Sequence, residues 1–186
     1  MSAVFAVSGS PSERSRTSLL VHHVIERLSL TGFDAAHLAV RDLPAEDLLH
    51  GRADAPAVRA AVDAVALADG LIVATPLYKA SYSGLLKTFL DLLPQSTLTG
   101  KTVLPLVTGG TRSHLLAIDY ALRPVLVALG ARHVVGGCFV LDRDIEPGAA
   151  GGVTLAAEAE LRLFDVLDHF IEALPAAGAS LAPSLP

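Results

Sequence analysis

Between Ser8 and Ser18 the chain places six hydroxyl groups and two guanidinium groups in eleven residues, Ser8-Gly-Ser-Pro-Ser-Glu-Arg-Ser-Arg-Thr-Ser18. An apolar run precedes this stretch, and an apolar helical period follows it from Leu19. Strand, turn and helix in that order leave unpaired backbone N–H groups at the helix start, where the helix dipole is positive. One hydroxyl is accounted for by an N-cap. Six hydroxyls with Arg14 and Arg16 between them suit a phosphate monoester. Ser8, Ser10, Arg14, Ser15, Arg16, Thr17 and Ser18 are the candidates. The stretch matches neither G-x-x-x-x-G-K-[ST] nor G-x-G-x-x-G, so a P-loop nucleotidase and a Rossmann dehydrogenase are both unsupported.

Two further clusters carry useful chemistry. Pro76, Leu77, Tyr78 and Lys79 end a buried apolar run with a rigid backbone and an aromatic ring, one wall of a slot for a planar ring system. Gly109, Gly110 and Thr111 end another run. Two residues without Cβ there let a ligand approach the backbone, whose N–H groups can bond a polar ring edge.

The elements that position these clusters follow from periodicity. Strands are predicted at 3–8, 34–40, 70–75, 102–108 and 133–141. Helices are predicted at 17–30, 56–68, 83–93, 115–129 and 155–174, the second opened by Pro56. Residues 44–55 carry no decisive pattern, and 143–152 read as a loop. Pro105 removes a ladder donor from the fourth strand. Five alternations of strand and helix imply an α/β, flavodoxin-like, doubly wound parallel sheet of order 2-1-3-4-5 with helices on both faces. Ligands in such sheets sit at the carboxyl ends of strands beside the switch point, where all three clusters fall. One domain over 1–174 and a C-terminal tail over 175–186 are expected.

Charge and composition narrow the function classes. A formal charge of −5, a pI near 5.7 and 5% aromatics argue against nucleic-acid or anionic-membrane binding. No apolar run reaches the length of a membrane span, and no secretory leader is evident. The single cysteine, Cys138, excludes an internal disulfide and reads as a small buried hydrophobe. A cytoplasmic protein is expected. The seven histidines show no metal-ligand spacing. His22 and His23 point apart on a helix, and His114 suits a helix start.

Tyr120 stands out for a physical reason. Pro124 has no N–H, so the Tyr120 carbonyl loses its helical partner and the proline ring crowds it. A bulge is expected there, and one-turn π-bulges favour functional sites.

The segments Thr75-Pro-Leu-Tyr-Lys79, Tyr82-Ser-Gly-Leu-Leu-Lys-Thr-Phe-Leu-Asp-Leu-Leu-Pro94, Leu104-Pro-Leu-Val-Thr-Gly-Gly-Thr111 and His114-Leu-Leu-Ala-Ile-Asp-Tyr-Ala-Leu-Arg-Pro-Val-Leu126 together resemble the NADPH-dependent FMN reductases. The resemblance is greatest to the reductase component of two-component alkanesulfonate monooxygenases. It implies FMN and NADPH as cofactors. The flavin phosphate would lie in the first loop, with the ring against Pro76–Lys79 and Gly109–Thr111. It also implies a homotetramer or homodimer with Tyr120 at the interface beside the flavin, modulating flavin retention. Reduced flavin would pass to a flavin-dependent monooxygenase for sulfur acquisition from organosulfonates. Hydride transfer between the two cofactors needs no protein acid or base, so no catalytic side chain is expected. Two other readings remain: a reductase with tightly bound FMN acting on quinones, azo compounds or chromate, and a non-enzymatic flavodoxin-like electron carrier.

Overall fold

In the computed structural model, residues 2–148 and 152–175 are described. Ala3–Ser8 (β1) is flanked by Asp34–Ala39 (β2) and Gly70–Tyr78 (β3), both parallel to it. Ser81–Tyr82 (β4) folds back antiparallel on the end of β3. Thr102–Gly109 (β5) is parallel to β3 and, on its other side, to His133–Val134 (β6) and Cys138–Leu141 (β7). The principal order β2-β1-β3-β5-β6/β7 is the flavodoxin-like one, with the expected fifth strand split in two.

Pro105 explains the split. Val135 N–H donates to the Val103 carbonyl, and the two-residue alternation of a strand turns Pro105 toward the same seam. Pro105 has no N–H to offer, and the ladder lapses between β6 and β7 at Gly136-Gly137. A Cβ on Gly137 would stand 2.8 Å from Ile118 and 3.2 Å from the Pro105 carbonyl oxygen, so the close approach requires glycine.

Successive residues of β3 serve opposite cores, which is why its run is continuously apolar. Leu71 and Val73 join Val7, Val103 and Val107 beneath Pro56–Leu67 (α3) and Gly84–Leu90 (α4). Ile72 and Ala74 join Val4, Ala6, Leu104 and Leu106 beneath Arg16–Leu30 (α1) and Ala157–Glu172 (α6). Each fully buried leucine or valine contributes roughly 1.5–3 kcal/mol, so both faces of the sheet are anchored independently of any ligand.

Two expectations are corrected, and one undecided stretch is resolved. The helix expected over 115–129 is instead a 3-10 turn at Arg112–His114, a π-helical turn at Ile118–Leu122 and a short helix at Arg123–Ala128 (α5). Residues 143–152 are not all loop, because Ile145–Pro147 (β8) pairs antiparallel with Val153–Leu155 (β9) and packs near α1. The undecided stretch 44–55 holds a helix at Ala45–Leu49 (α2). Residues 149–151 and most of the expected tail, 176–186, lie outside the described residues. Among the described residues no helix is long and apolar enough to cross a membrane.

Candidate functional site

The carboxyl ends of β1, β3 and β5 meet in one cleft because short side-chain bonds bind their loops together. Thr17 Oγ1 lies 2.7 Å from Thr108 Oγ1, tying the first loop to the end of β5. Ser83 caps α4 by accepting from Leu86 N–H at 3.0 Å, and its own hydroxyl donates to the Gly9 carbonyl. Its backbone N–H donates to Thr75 Oγ1 at 3.0 Å. Gly9 has to be glycine: a Cβ there would stand 2.4 Å from Leu86 Cβ. The first two loops are therefore in backbone contact.

The resulting cavity, about 170 Å³, is lined by Ser10, Arg14, Ser15, Arg16 and Thr17 from the first loop. Pro76, Leu77 and Tyr78 form another wall, and Gly109 contributes from the end of β5. The cavity also takes Ser12, Thr108 and Asp142, which the sequence reading did not single out. Asp142 follows β7, and its approach to the cleft could be read only once the last strand was known to run past β5.

Within the first loop the hydroxyls divide their work. Ser15 is the N-cap of α1 and accepts from Ser18 N–H at 3.0 Å. Ser10 accepts from Ser12 N–H at 3.3 Å. Ser8 is buried below the loop, 2.8 Å from His37 Nε2 and 3.5 Å from Ser18 Oγ, and does not line the cleft. Arg14 and Arg16 are exposed, and neither guanidinium has a hydrogen-bond or ion-pair partner among the described residues.

Lys79, Gly110, Thr111 and Tyr120 also lie off the cleft's lining. Lys79 and Ala80 form the tip of the β3–β4 hairpin, both left-handed at φ of 51° and 63°. That is the backbone of a type I′ turn, which ordinarily takes Asn-Gly. Gly110 and Thr111 are exposed beyond β5, and Thr111 caps the 3-10 turn through Ser113 N–H. Tyr120 lies in the π-helical turn, whose signature is Arg123 N–H donating to the Ile118 carbonyl five residues back. Its side chain is 79% exposed. The Arg123 guanidinium pins the turn by bonding Asp119 at 2.9 Å and the Val134 carbonyl at 2.8 Å.

Sequence reading missed His37 and Arg41. Both come from β2 or its end, which the 2-1-3 order places beside the first loop; that adjacency was the available signal. Arg41 Nη1 donates to Ser18 Oγ at 3.0 Å. Burial, aided by His22 and Arg41, pushes His37 down to about 4, so its ring is neutral at physiological pH. Burial pushes the Cys138 thiol up to about 11, so it is not a thiolate at physiological pH, and His23 stacks on Phe164 away from the cleft's lining.

The sequence pattern of the NADPH-dependent FMN reductases matches residues 2–146. The chain belongs to the NADPH-dependent FMN reductase family. It is 46% identical over 183 residues to an FMN reductase (NADPH) of Pseudomonas putida, covering 98% of this chain and 93% of that one. To an FMN reductase (NADPH) of Escherichia coli it is 49% identical over 142 residues, covering 76% and 74% of the two chains. The apo crystal structure of an NADH:FMN oxidoreductase superposes with a TM-score of 0.86 at 42% identity, covering 95% of this chain and 91% of that one. As an NADPH-dependent FMN reductase the protein is an oxidoreductase, with FMN and NADPH as its cofactors. The donor set of the cleft fits FMN, since hydroxyls, helix-start N–H groups and two unpaired guanidiniums match a phosphate, and Pro76, Leu77 and Tyr78 offer a flat wall.

Proposed function

We propose that the three-loop cleft holds FMN by its phosphate at the first loop, Ser10–Thr17, and by its ring against Pro76, Leu77, Tyr78 and Gly109, and that the flavin leaves after reduction. The observation that carries this reading is the convergence of unpaired Arg14 and Arg16 with the ends of β3 and β5 in one cavity. When bound, the flavin supplies the hydride acceptor. The protein's own contribution is alignment. The Thr17–Thr108 and Ser83–Gly9 bonds fix the spacing between phosphate loop and ring wall, so that one ligand can touch both. Gly109 keeps the end of β5 low: a Cβ there would press on Phe139 at 3.2 Å.

The finer role follows the resemblance to reductase components of alkanesulfonate monooxygenases. In this reading, reduced FMN is delivered to a flavin-dependent monooxygenase acting on organosulfonates, in the cytoplasm. A single domain over 1–174 carries the activity. Leu115, Leu116, Tyr120 and Val127 present exposed apolar surface on and beside the π-helical turn, which supports self-association of that face into a dimer or tetramer. Tyr120 would then lie at the interface and regulate flavin retention.

The test is selective loss of the phosphate. Arg14→Ala with Arg16→Ala is expected to weaken FMN by about tenfold or more while leaving riboflavin nearly unchanged, since charge-assisted bonds to the phosphate are removed. Equal losses for both flavins would remove the phosphate assignment.

A further inference from the structure

The first loop has a second cavity, and it is the larger one. About 460 Å³ in volume, it shares Arg14, Ser15 and Arg16 with the flavin cleft but opens toward β2, where Arg41 and His22 join the lining. Three guanidiniums and an imidazole thus surround a space in a protein whose formal charge is −5. One carboxylate, that of the exposed Glu13, is also on its wall.

Arg41 is held for this position. Its Nη1 donates to Ser18 Oγ at 3.0 Å and approaches the Ser10 carbonyl at 3.5 Å. Asp42 lies 3.7 Å from Nε and is itself largely exposed, so the ion pair is weak. Nη2 makes no hydrogen bond among the described residues. Below it, His37 Nε2 and Ser18 Oγ both contact Ser8, and His22 meets the His37 ring edge-on at 5.1 Å. The hydroxyl that orients Arg41 is therefore part of a buried chain from β2 through β1 to α1. A guanidinium with one edge anchored and the other free is a fork for a dianionic oxygen acceptor.

We infer that Arg41, with Arg14 and Arg16, forms a second phosphate-monoester site on the β2 side of the first loop. The inference rests on the flavin assignment above. The single phosphate of FMN is assigned above to the flavin cleft, so the ligand of this enzyme that remains for the second site is NADPH, through its adenosine 2′-phosphate. An anchored arginine there gives the protein a means of preferring NADPH over NADH.

The test measures two affinity ratios in the wild type and in Arg41→Ala. FMN and riboflavin are titrated by flavin fluorescence, and NADP+ and NAD+ by calorimetry with no turnover. The variant is expected to weaken NADP+ about tenfold and NAD+ by less than about twofold, with the ratio of FMN to riboflavin affinity unchanged. Arg41→Lys should recover part of the loss, keeping the charge without the fork. If Arg41→Ala does not fold, Arg41→Gln, which retains a donor for Ser18, carries the same comparison. An unchanged ratio for NADP+ and NAD+, equal losses for both nucleotides, or a loss confined to FMN would overturn the inference. The Arg14→Ala, Arg16→Ala double variant separates the two failures: if it discriminates against FMN while Arg41 variants change neither ratio, only the second site falls.

Discussion

At the residue scale, the β3–β4 hairpin tip and Gly9 show backbone strain and close contact beside the strand ends that form the cleft. Lys79 and Ala80 hold left-handed backbone at the hairpin tip, at roughly 1–2 kcal/mol each for residues bearing a Cβ. Replacing the pair by Asn-Gly should relieve part of this and raise the melting temperature by about 2–4 °C, measured by thermal unfolding. A lower melting temperature would show that the tip is stabilised by something other than turn geometry. Gly9→Ala should do the opposite, because its Cβ would collide with the backbone and Cβ of Leu86, and a loss of about 1–3 kcal/mol is expected in urea unfolding. His37 gives a pH dependence whose sign is fixed. Its folded pKa of about 4 lies below the ordinary 6.5, so the unfolded chain takes up a proton first as pH falls. Stability attributable to neutral His37 is complete above about pH 6.5 and is lost progressively toward pH 4. The difference between urea midpoints at about pH 7.5 and about pH 4.5 should therefore shrink in His37→Gln. The arginines and hydroxyls of the first loop were legible in the sequence because they are contiguous. His37 and Arg41 were not, because only strand order brings them there.

At the element scale, the two prolines inside regular structure have traceable effects. Pro105 has no N–H for the outer seam of β5, and the outer strand breaks opposite it. Periodicity showed one apolar run over 133–141 and could not show the break, since Gly136-Gly137 interrupts pairing without interrupting hydrophobicity. Pro124 frees the Tyr120 carbonyl, and the chain there winds as a π-helical turn braced by Arg123. That local event followed from a single residue's missing donor, whereas the shortness of α5 and the preceding 3-10 turn did not. Tyr120→Ala is expected to slow or abolish steady-state release of flavin, read as turnover with free FMN. Unchanged turnover would remove Tyr120 from flavin exchange. The β8–β9 hairpin was unreadable for another reason: its strands are three residues each, too short for alternation to register.

At the scale of the whole molecule, the sheet brings three loops separated by some sixty or thirty residues of chain into one cavity: strand order places them side by side, and the Thr17–Thr108 and Ser83–Gly9 bonds hold them together. The fold was legible because the alternation of apolar strands and amphipathic helices recurs along the chain, and each repeat constrains the next. The exposed apolar face was not, since Leu116, Tyr120 and Val127 are ordinary members of an apolar helical pattern until the packing shows that nothing in the described chain covers them. The most direct measurement is NADPH oxidation by the purified protein with and without added FMN, together with an absorption spectrum for bound flavin. Nucleotide oxidation that requires and saturates with added FMN, by a protein isolated nearly colourless, is the expected result. Stoichiometric bound flavin with oxidation indifferent to added FMN would contradict flavin as a dissociating substrate.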